Sequence, residues 1–240
     1  MTRVAVCAVL LAIIGGLDLR WTAGAEEGFE PIFDGRTLDG WKGPDPSFWT
    51  IEDGAITGKI TSEHKQTMNQ YLVWQGGELD DFELKLTHRI FGSPSINGGF
   101  QFRSEVLPDG DVKGYQVDNN LDTDWLVRLY DEHGRHDLAM RGNRTLIGAD
   151  GKFVTTPIAE AAGPAKFKLD DWHQYELICQ GPKLTLKIDG QLVAEVVDND
   201  RNQQDFSGIL ALQLHTGEPM TVQFKDIQLK RLKQAGVSVP

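Results

Sequence analysis

Gly99-Phe100-Gln101-Phe102-Arg103, Gly114-Tyr115-Gln116-Val117-Asp118 and Leu210-Ala211-Leu212-Gln213-Leu214-His215 are three short runs that alternate apolar and polar residues. Side chains alternate across a strand. Phe100, Phe102, Tyr115, Val117, Leu212 and Leu214 are therefore expected to enter a core, with Gln101, Arg103, Gln116, Asp118, Gln213 and His215 on the opposite face. A wet sheet face is ordinarily filled with Lys, Glu and Thr, and any one of these strands would pass for one. Three strands carrying Arg, Gln, Asp and His read as a binding face, because these groups are directional hydrogen-bonding partners suited to a polyhydroxylated ligand.

The rest of the chain repeats the short alternating pattern, punctuated by Gly, Pro, Asn and Asp. Expected strands are 48–51, 55–59, 70–74, 81–90, 98–104, 113–119, 125–130, 172–179, 183–188, 191–197, 208–215 and 220–230. Asp53-Gly54 and Asp189-Gly190 are hairpin turns, since both residue types tolerate positive φ. The stretch from Arg141 to Pro164 is poorer in pattern and is expected to be a long surface loop. A dozen strands in one chain call for two packed antiparallel sheets. The fold class is all-β, a concanavalin or jelly-roll-like β-sandwich. Trp41 and Trp49 are expected to pack the N-terminal segment onto it rather than stack on sugars.

Arg3, the apolar run Val4 to Ile14 and the small-residue site Ala23-Gly24-Ala25 read as a cleavable signal peptide over residues 1–25. The apolar run is shorter than the roughly 20 residues a membrane helix needs, and Cys7 within it lacks the lead-in of a lipoprotein site. The expected product is secreted or periplasmic, one domain over residues 26–240. Of the two cysteines only Cys179 would remain, so no internal disulfide forms, and its setting in Leu177-Ile178-Cys179 reads as a buried strand. The formal charge is −11, and residues 1–25 carry net +1, which leaves −12 afterwards. So acidic a chain with no basic cluster argues against nucleic acid and anionic membranes as partners.

IFDGRTLDGWKG, FWTIEDGAITG, DFELKLTHRI, NGGFQFRS, GYQVDNN, RLYDEHGR, DWHQYELICQG, LKIDGQLVAEVVD and GILALQLHTGEPMTVQFKDIQLK follow one another over residues 32–230. As a set they resemble the 3-keto-disaccharide hydrolase domain family, which has a concanavalin-like sandwich. The chain departs from the family pattern in having Asn97-Gly98-Gly99 before the Phe-rich strand. Thr216 also separates His215 from Gly217. The resemblance implies cleavage of sugars already oxidised at C3, and hence a sugar oxidoreductase acting upstream. A C3 ketone acidifies the C2 proton, so a base can form an enolate that expels the C1 substituent before water adds back. Such a site needs a base, a stabiliser for the oxyanion and an acid for the leaving oxygen. Imidazole titrates near 6.5, and His215 is the candidate base or acid. Glu105 and Asp118 are carboxylate alternatives and Arg103 the candidate for offsetting enolate charge. Gln101, Gln116, Gln213 and Tyr130 are the candidate substrate-binding residues.

Other chemistries compete with this one. Glu78-Leu79-Asp80-Asp81-Phe82-Glu83 matches the E-x-D-x-x-E signature of glucanases sharing the fold. Gly76-Gly77 and the strand pattern starting at Asp81 instead place Glu78 and Asp80 in a turn. Asp131, His133 and His136 could hold a divalent ion, but their spacing lacks a zinc pattern and a solvated turn is the simpler reading, so the sequence names no cofactor. His64, His88 and His173 stand alone and read as structural. A carbohydrate-binding module without catalysis would show the same polar strands, so fold by itself does not separate the two functions.

Overall fold

A computed structural model describes residues 27–120, 127–159 and 168–233. The expected signal peptide, with Cys7, lies outside the described residues, as does the start of the strand expected at 125–130. In chain order the strands are β1 (Glu30–Pro31), β2 (Trp41–Lys42), β3 (Trp49–Glu52), β4 (Ala55–Ile60), β5 (Gln70–Trp74) and β6 (Phe82–Gly92). Then come β7 (Asn97–Val106), β8 (Val112–Asn120), β9 (Val127–Glu132), β10 (His136–Met140), β11 (Asn143–Ile147) and β12 (Phe153–Pro157). The chain continues through β13 (His173–Gln180), β14 (Lys183–Ile188), β15 (Gln191–Asp198), β16 (Ile209–Leu214) and β17 (Met220–Arg231).

Two sheets result. The larger runs β12-β11-β15-β14-β13-β6-β17-β4-β3, with β1 added beside β17, and the smaller runs β10-β9-β8-β7-β16-β5-β2. Every pairing is antiparallel except β11 with β15. The inner faces meet through the expected residues: Phe100, Phe102, Tyr115, Val117, Leu212 and Leu214 join Phe82, Leu84, Leu177 and Phe224 in one cluster. Phe102 meets Phe82 edge-on at 6.4 Å between ring centroids, tying the sheets together. Cys179 is fully buried, and burial pushes its thiol up to about 12. Trp41 and Trp49 are buried as packing residues, Trp41 donating from Nε1 to the Ile32 carbonyl at 3.0 Å. Asp53-Gly54 and Asp189-Gly190 form their turns with φ of 50° and 75° in each pair.

Three expectations need correction. The segment 141–164 is not a bare loop, because β11 and β12 form a hairpin whose inner strand pairs with β15. Its apolar residues are mostly exposed, with Leu146 and Val154 facing solvent, which is why no alternating core pattern marked it. β1, β2 and β10 also went unmarked, being too short or too polar for a period to show. Arg103 breaks the alternation of its strand. The register slips between Phe102 and Ser104, and Arg103 sits in the slip with φ of 46°. This is a β-bulge, and it turns the side chain away from the face that carries Gln101.

Candidate active site

The outer face of the seven-stranded sheet is the polar one. Gln101 on β7 pairs directly with Gln116 on β8 and Ala211 on β16, and Gln116 pairs with Tyr130 on β9. One rank along, Gly99 lies between Asp118 and Gln213, and Asp118 faces Arg128. Gly99 therefore leaves a gap between an acidic and an amide side chain. A side chain there is excluded, since its Cβ would lie 1.9 Å from the Val117 carbonyl.

The bend at Arg103 and Gly114 carries the β7–β8 hairpin over this face. Val112 packs with Tyr71 and Ala211, although β7 and β16 lie between β8 and the strand of Tyr71. Gln101, Gln116 and Gln213 are consequently buried. Gln116 Nε2 donates to Gln213 Oε1 at 2.7 Å, and Gln213 Nε2 donates to the Tyr71 hydroxyl at 3.2 Å. These glutamines share one face as expected, but they form its floor rather than an open surface.

Asp118 stands at the edge of that floor. Its Oδ2 accepts from Arg128 Nε at 2.6 Å, and Arg128 also donates to Asp137 Oδ1 at 2.6 Å and stacks over the Tyr130 ring at 4.4 Å. Burial raises the Asp118 carboxyl above the ordinary aspartate range, with Arg128 and, more weakly, His215 opposing it. Its Oδ1 makes no hydrogen bond, and neither do two other buried atoms beside Gly99, Gln101 Nε2 and Asn97 Oδ1. Buried polar groups are nearly always satisfied, so three such atoms around one gap mark a place for a polar ligand.

His215 follows β16 on the same side. Its Nδ1 lies 2.6 Å from the Thr216 carbonyl, which only accepts, so the neutral ring carries its proton there and keeps a lone pair on Nε2. Thr216 is itself fixed by Asn69 Oδ1, which accepts from its N–H at 2.9 Å, and by the Gln66 carbonyl, which accepts from its hydroxyl at 3.3 Å. Tyr130 lies at the rim with its hydroxyl 2.7 Å from His136 Nδ1.

Two expected catalytic residues are elsewhere. Arg103 is almost fully buried, and its guanidinium donates to the carbonyls of Asp80 and Gly181 at 2.8 Å, to that of Asp205 at 3.4 Å and to Asp81 Oδ1 at 3.0 Å. It ties the bulge to the opposite sheet and is committed to the fold. Glu105 is exposed and pairs with Lys113 at 3.4 Å. It lies six residues along β7 from Gly99, beyond the bulge at Arg103. Glu78 precedes β6 in irregular chain beside the Leu79–Gly208 bridge and receives a hydrogen bond from Ser207 Oγ, while Glu83 lies on the other sheet beside Glu176. The two-carboxylate glucanase arrangement is absent.

Four residues escaped the sequence reading. Glu132 faces the same side as Tyr130 and Arg128, burial raises its carboxyl, and Asp118 and His215 both act on it electrostatically. Asp111 accepts from His133 Nε2 at 2.9 Å. Burial pushes the Asp111 carboxyl up, but His133, the Val112 N–H and the Tyr71 hydroxyl outweigh it and hold it low. Tyr71 completes the floor, and burial raises its hydroxyl. Arg128 stands on the polar face where Arg103 was expected. A period of two along β9 would have put Arg128, Tyr130 and Glu132 on one face. Nothing in the sequence tells that the β7–β8 hairpin folds across the sheet to bring Asp111 there. Asp131 and His136 do not join His133: Asp131 is buried against Arg135 at 2.8 Å. No group of His, Cys, Asp and Glu suited to a metal ion occurs among the described residues. The lone histidines are structural, with His64 stacked on Phe48, His88 on Phe224, and His173 between Asp189 and the Lys168 carbonyl.

The architecture is an all-β sandwich with a partly roofed, hydrogen-bonding outer face. Residues 28–230 match the family described as the 3-keto-alpha-glucoside-1,2-lyase-like domain, and the chain belongs to it. Over 97 residues it is 31% identical to a 3-keto-disaccharide hydrolase of Bacteroides thetaiotaomicron. That match covers 38% of this chain and 32% of the relative, so the chain spans about a third of the relative's length. Among solved structures, a candidate glycosyl hydrolase from Parabacteroides distasonis is similar with a TM-score of 0.54 and 19% identity, covering 86% of this chain and 95% of that one. The carbohydrate-binding module CBM66 from Bacillus subtilis gives 0.53 and 16%, covering 80% and 95%. These two likenesses speak to the fold alone.

Proposed function

We propose that this protein is an exported enzyme cleaving 3-keto-glycosides by C2 deprotonation, elimination and hydration. The observation that carries the proposal is Asp118: a buried carboxylate with one oxygen pinned by Arg128 and the other unbonded, on the gap at Gly99, in a chain of the lyase-like family. Asp118 Oδ1 takes the C2 proton, and burial makes it a stronger base than an ordinary aspartate. The C2–H electron pair becomes the C2=C3 bond of an enolate, with Arg128 supplying positive charge nearby. The enolate collapses, C1–O breaks, and the leaving oxygen is protonated by Glu132, whose carboxyl burial favours the neutral form. Water then adds to C1 of the unsaturated ketone, giving a proton to His215 Nε2, while Asp118 returns one to C2. Solvent relays the His215 proton to Glu132, and the net change is hydrolysis. The upstream step is an oxidation of the sugar at C3.

Running the reaction in deuterium oxide tests this route. Deuterium is expected at C2 of the released 3-keto sugar, above the enzyme-free rate, because the proton returning to C2 has exchanged on the carboxyl. Cleavage with C2 fully protonated would point to direct displacement at C1. The alternative, a binding module of the same fold, draws on the likeness to CBM66 and would give no cleavage of either sugar form.

A further inference from the structure

His215 stands one residue past the last pair of the β5–β16 ladder, Gln70 with Leu214, and so opposite Asn69, which precedes β5. The residue after it, Thr216, is where the chain departs from the family pattern, and each of its polar groups is engaged. Its N–H donates to Asn69 Oδ1 at 2.9 Å, its hydroxyl donates to the Gln66 carbonyl at 3.3 Å, and its carbonyl accepts from His215 Nδ1 at 2.6 Å. Gln66 in turn donates from Nε2 to the Leu214 carbonyl at 2.9 Å. The segment before β5 therefore grips the end of β16 on both sides of His215.

The polarity of this arrangement is fixed from both ends. A backbone N–H only donates, so the Asn69 amide turns Oδ1 to Thr216 and Nδ2 to the Tyr71 hydroxyl, 3.3 Å away. That hydroxyl also receives Gln213 Nε2 at 3.2 Å. With two donors arriving, it sends its own proton to Asp111. Burial raises the Asp111 carboxyl, but His133, the Val112 N–H and this hydroxyl together hold it low, so it only accepts. Tyr71 is almost wholly buried, and its hydroxyl has no cheap exchange for water. The glutamine floor and the support of His215 thus meet at one oxygen, and the Asn69 amide cannot reverse without setting donor against donor at Thr216.

We infer that Asn69 is a positioning residue: through Thr216 it holds the His215 imidazole in the tautomer with its proton on Nδ1, which leaves Nε2 bare to take the proton of the attacking water. The inference rests on the proposed 3-keto-glycoside reading for what His215 does, and on the hydrogen bonds for how the ring is held. The other tautomer would set a lone pair on Nδ1 against the Thr216 carbonyl oxygen at 2.6 Å, acceptor against acceptor. It becomes accessible only if that carbonyl swings away, and the bonds of the same residue to Asn69 and Gln66 oppose the swing. A histidine base works only with the lone pair on the nitrogen that faces its reaction.

The imidazole ¹⁵N resonances of the purified protein report the tautomer directly, at about pH 8.5, where an imidazole with the ordinary value of about 6.5 is neutral. The His215 signals are assigned by their loss in His215→Gln. Wild type should show a protonated Nδ1 and a bare Nε2. Asn69→Ala, a change at a half-buried position, should give a mixture of both tautomers. Asn69→Asp keeps an acceptor for the Thr216 N–H and should retain the wild-type signals. On a 3-keto disaccharide, Asn69→Ala should lower kcat by about 10–100-fold, part of the roughly 10²–10⁴-fold that a general base supplies. KM should be nearly unchanged, and Asn69→Asp should restore kcat. A bare Nδ1 in wild type overturns the inference. So does a single tautomer in Asn69→Ala, or an equal disturbance in both variants, which would make Asn69 a structural residue only. The reading beneath it fails separately. If wild type cleaves no 3-keto sugar, or His215→Gln leaves kcat unchanged, while the tautomer still responds to Asn69, the support of the ring stands and the proton step assigned to His215 falls.

Discussion

At the residue scale, Arg103 and Asp118, both assigned to the polar face by alternation, part company at the bulge. Arg103 has left the polar face for a buried network, and its loss would leave the Asp81 carboxylate without its cation, with the Gly181 N–H still bonded to it, and take a donor from three carbonyls. Arg103→Ala should therefore lower stability by about 3–5 kcal/mol, the range for breaking a buried charge pair, measured by urea unfolding. A variant that keeps its stability but loses kcat would return Arg103 to the active site. Asp118→Asn, which keeps an acceptor for Arg128, should leave the protein folded and reduce kcat by about 10²–10⁴-fold, as for a general base. Glu78→Gln should leave both unchanged. His88 gives a pH prediction of its own. It is fully buried and its imidazole is pushed down to about 4, chiefly by burial, with Nε2 unbonded. With a folded value below the ordinary 6.5, the unfolded chain binds the extra proton between those limits, so stability is lost as pH falls from about 6.5 to about 4. The difference in unfolding free energy between wild type and His88→Phe should change across that window and be flat above it.

At the scale of elements, the decisive feature is the bulge that bends the β7–β8 hairpin across its own sheet. Gly114 on β8 has φ of 127°, and a Cβ there would lie 2.7 Å from Ser104 Oγ and 2.8 Å from Ser104 Cα. Gly114→Ala should cost about 1–3 kcal/mol in backbone strain. It should also raise KM, because the hairpin that roofs the glutamine floor loses its bend. An unchanged KM with the fold intact would separate the bend from ligand binding. The same bulge marks the limit of legibility. Phe100, Phe102, Tyr115, Val117, Leu212 and Leu214 were readable from period two because each is fully buried. Arg103 was not, because a one-residue slip reverses every side chain beyond it. The available hint was glycine in neighbouring strands, Gly114 and Gly208, which often signals a bulge. Asp118, His215 and the three glutamines were legible as a face. Asp111 and Tyr71 reach it only through the folded-over hairpin, a tertiary event with no local pattern. The β11–β12 hairpin was hidden because polarity does not follow burial there: Thr145 is buried while Leu146, Phe153 and Val154 are exposed.

At the scale of the whole molecule, the sandwich supplies a rigid frame and the proposed chemistry occupies one outer face of it. Inner-face side chains such as Phe82, Phe100 and Phe224 are each worth about 1.5–3 kcal/mol when fully buried, which fixes the strands that hold Gly99, Asp118 and His215 in register. The central claim is that reactivity comes from a ketone at C3 of the substrate and not from a pair of carboxylates acting at C1. The measurement that tests it most directly is turnover of a disaccharide and of its 3-keto form by the same purified protein under the same conditions. The 3-keto sugar should be cleaved, its parent should remain intact because its C2 proton is not acidic, and Asp118→Asn should abolish the difference. Equal turnover of the two sugars would contradict the claim and assign the protein to ordinary glycoside hydrolysis.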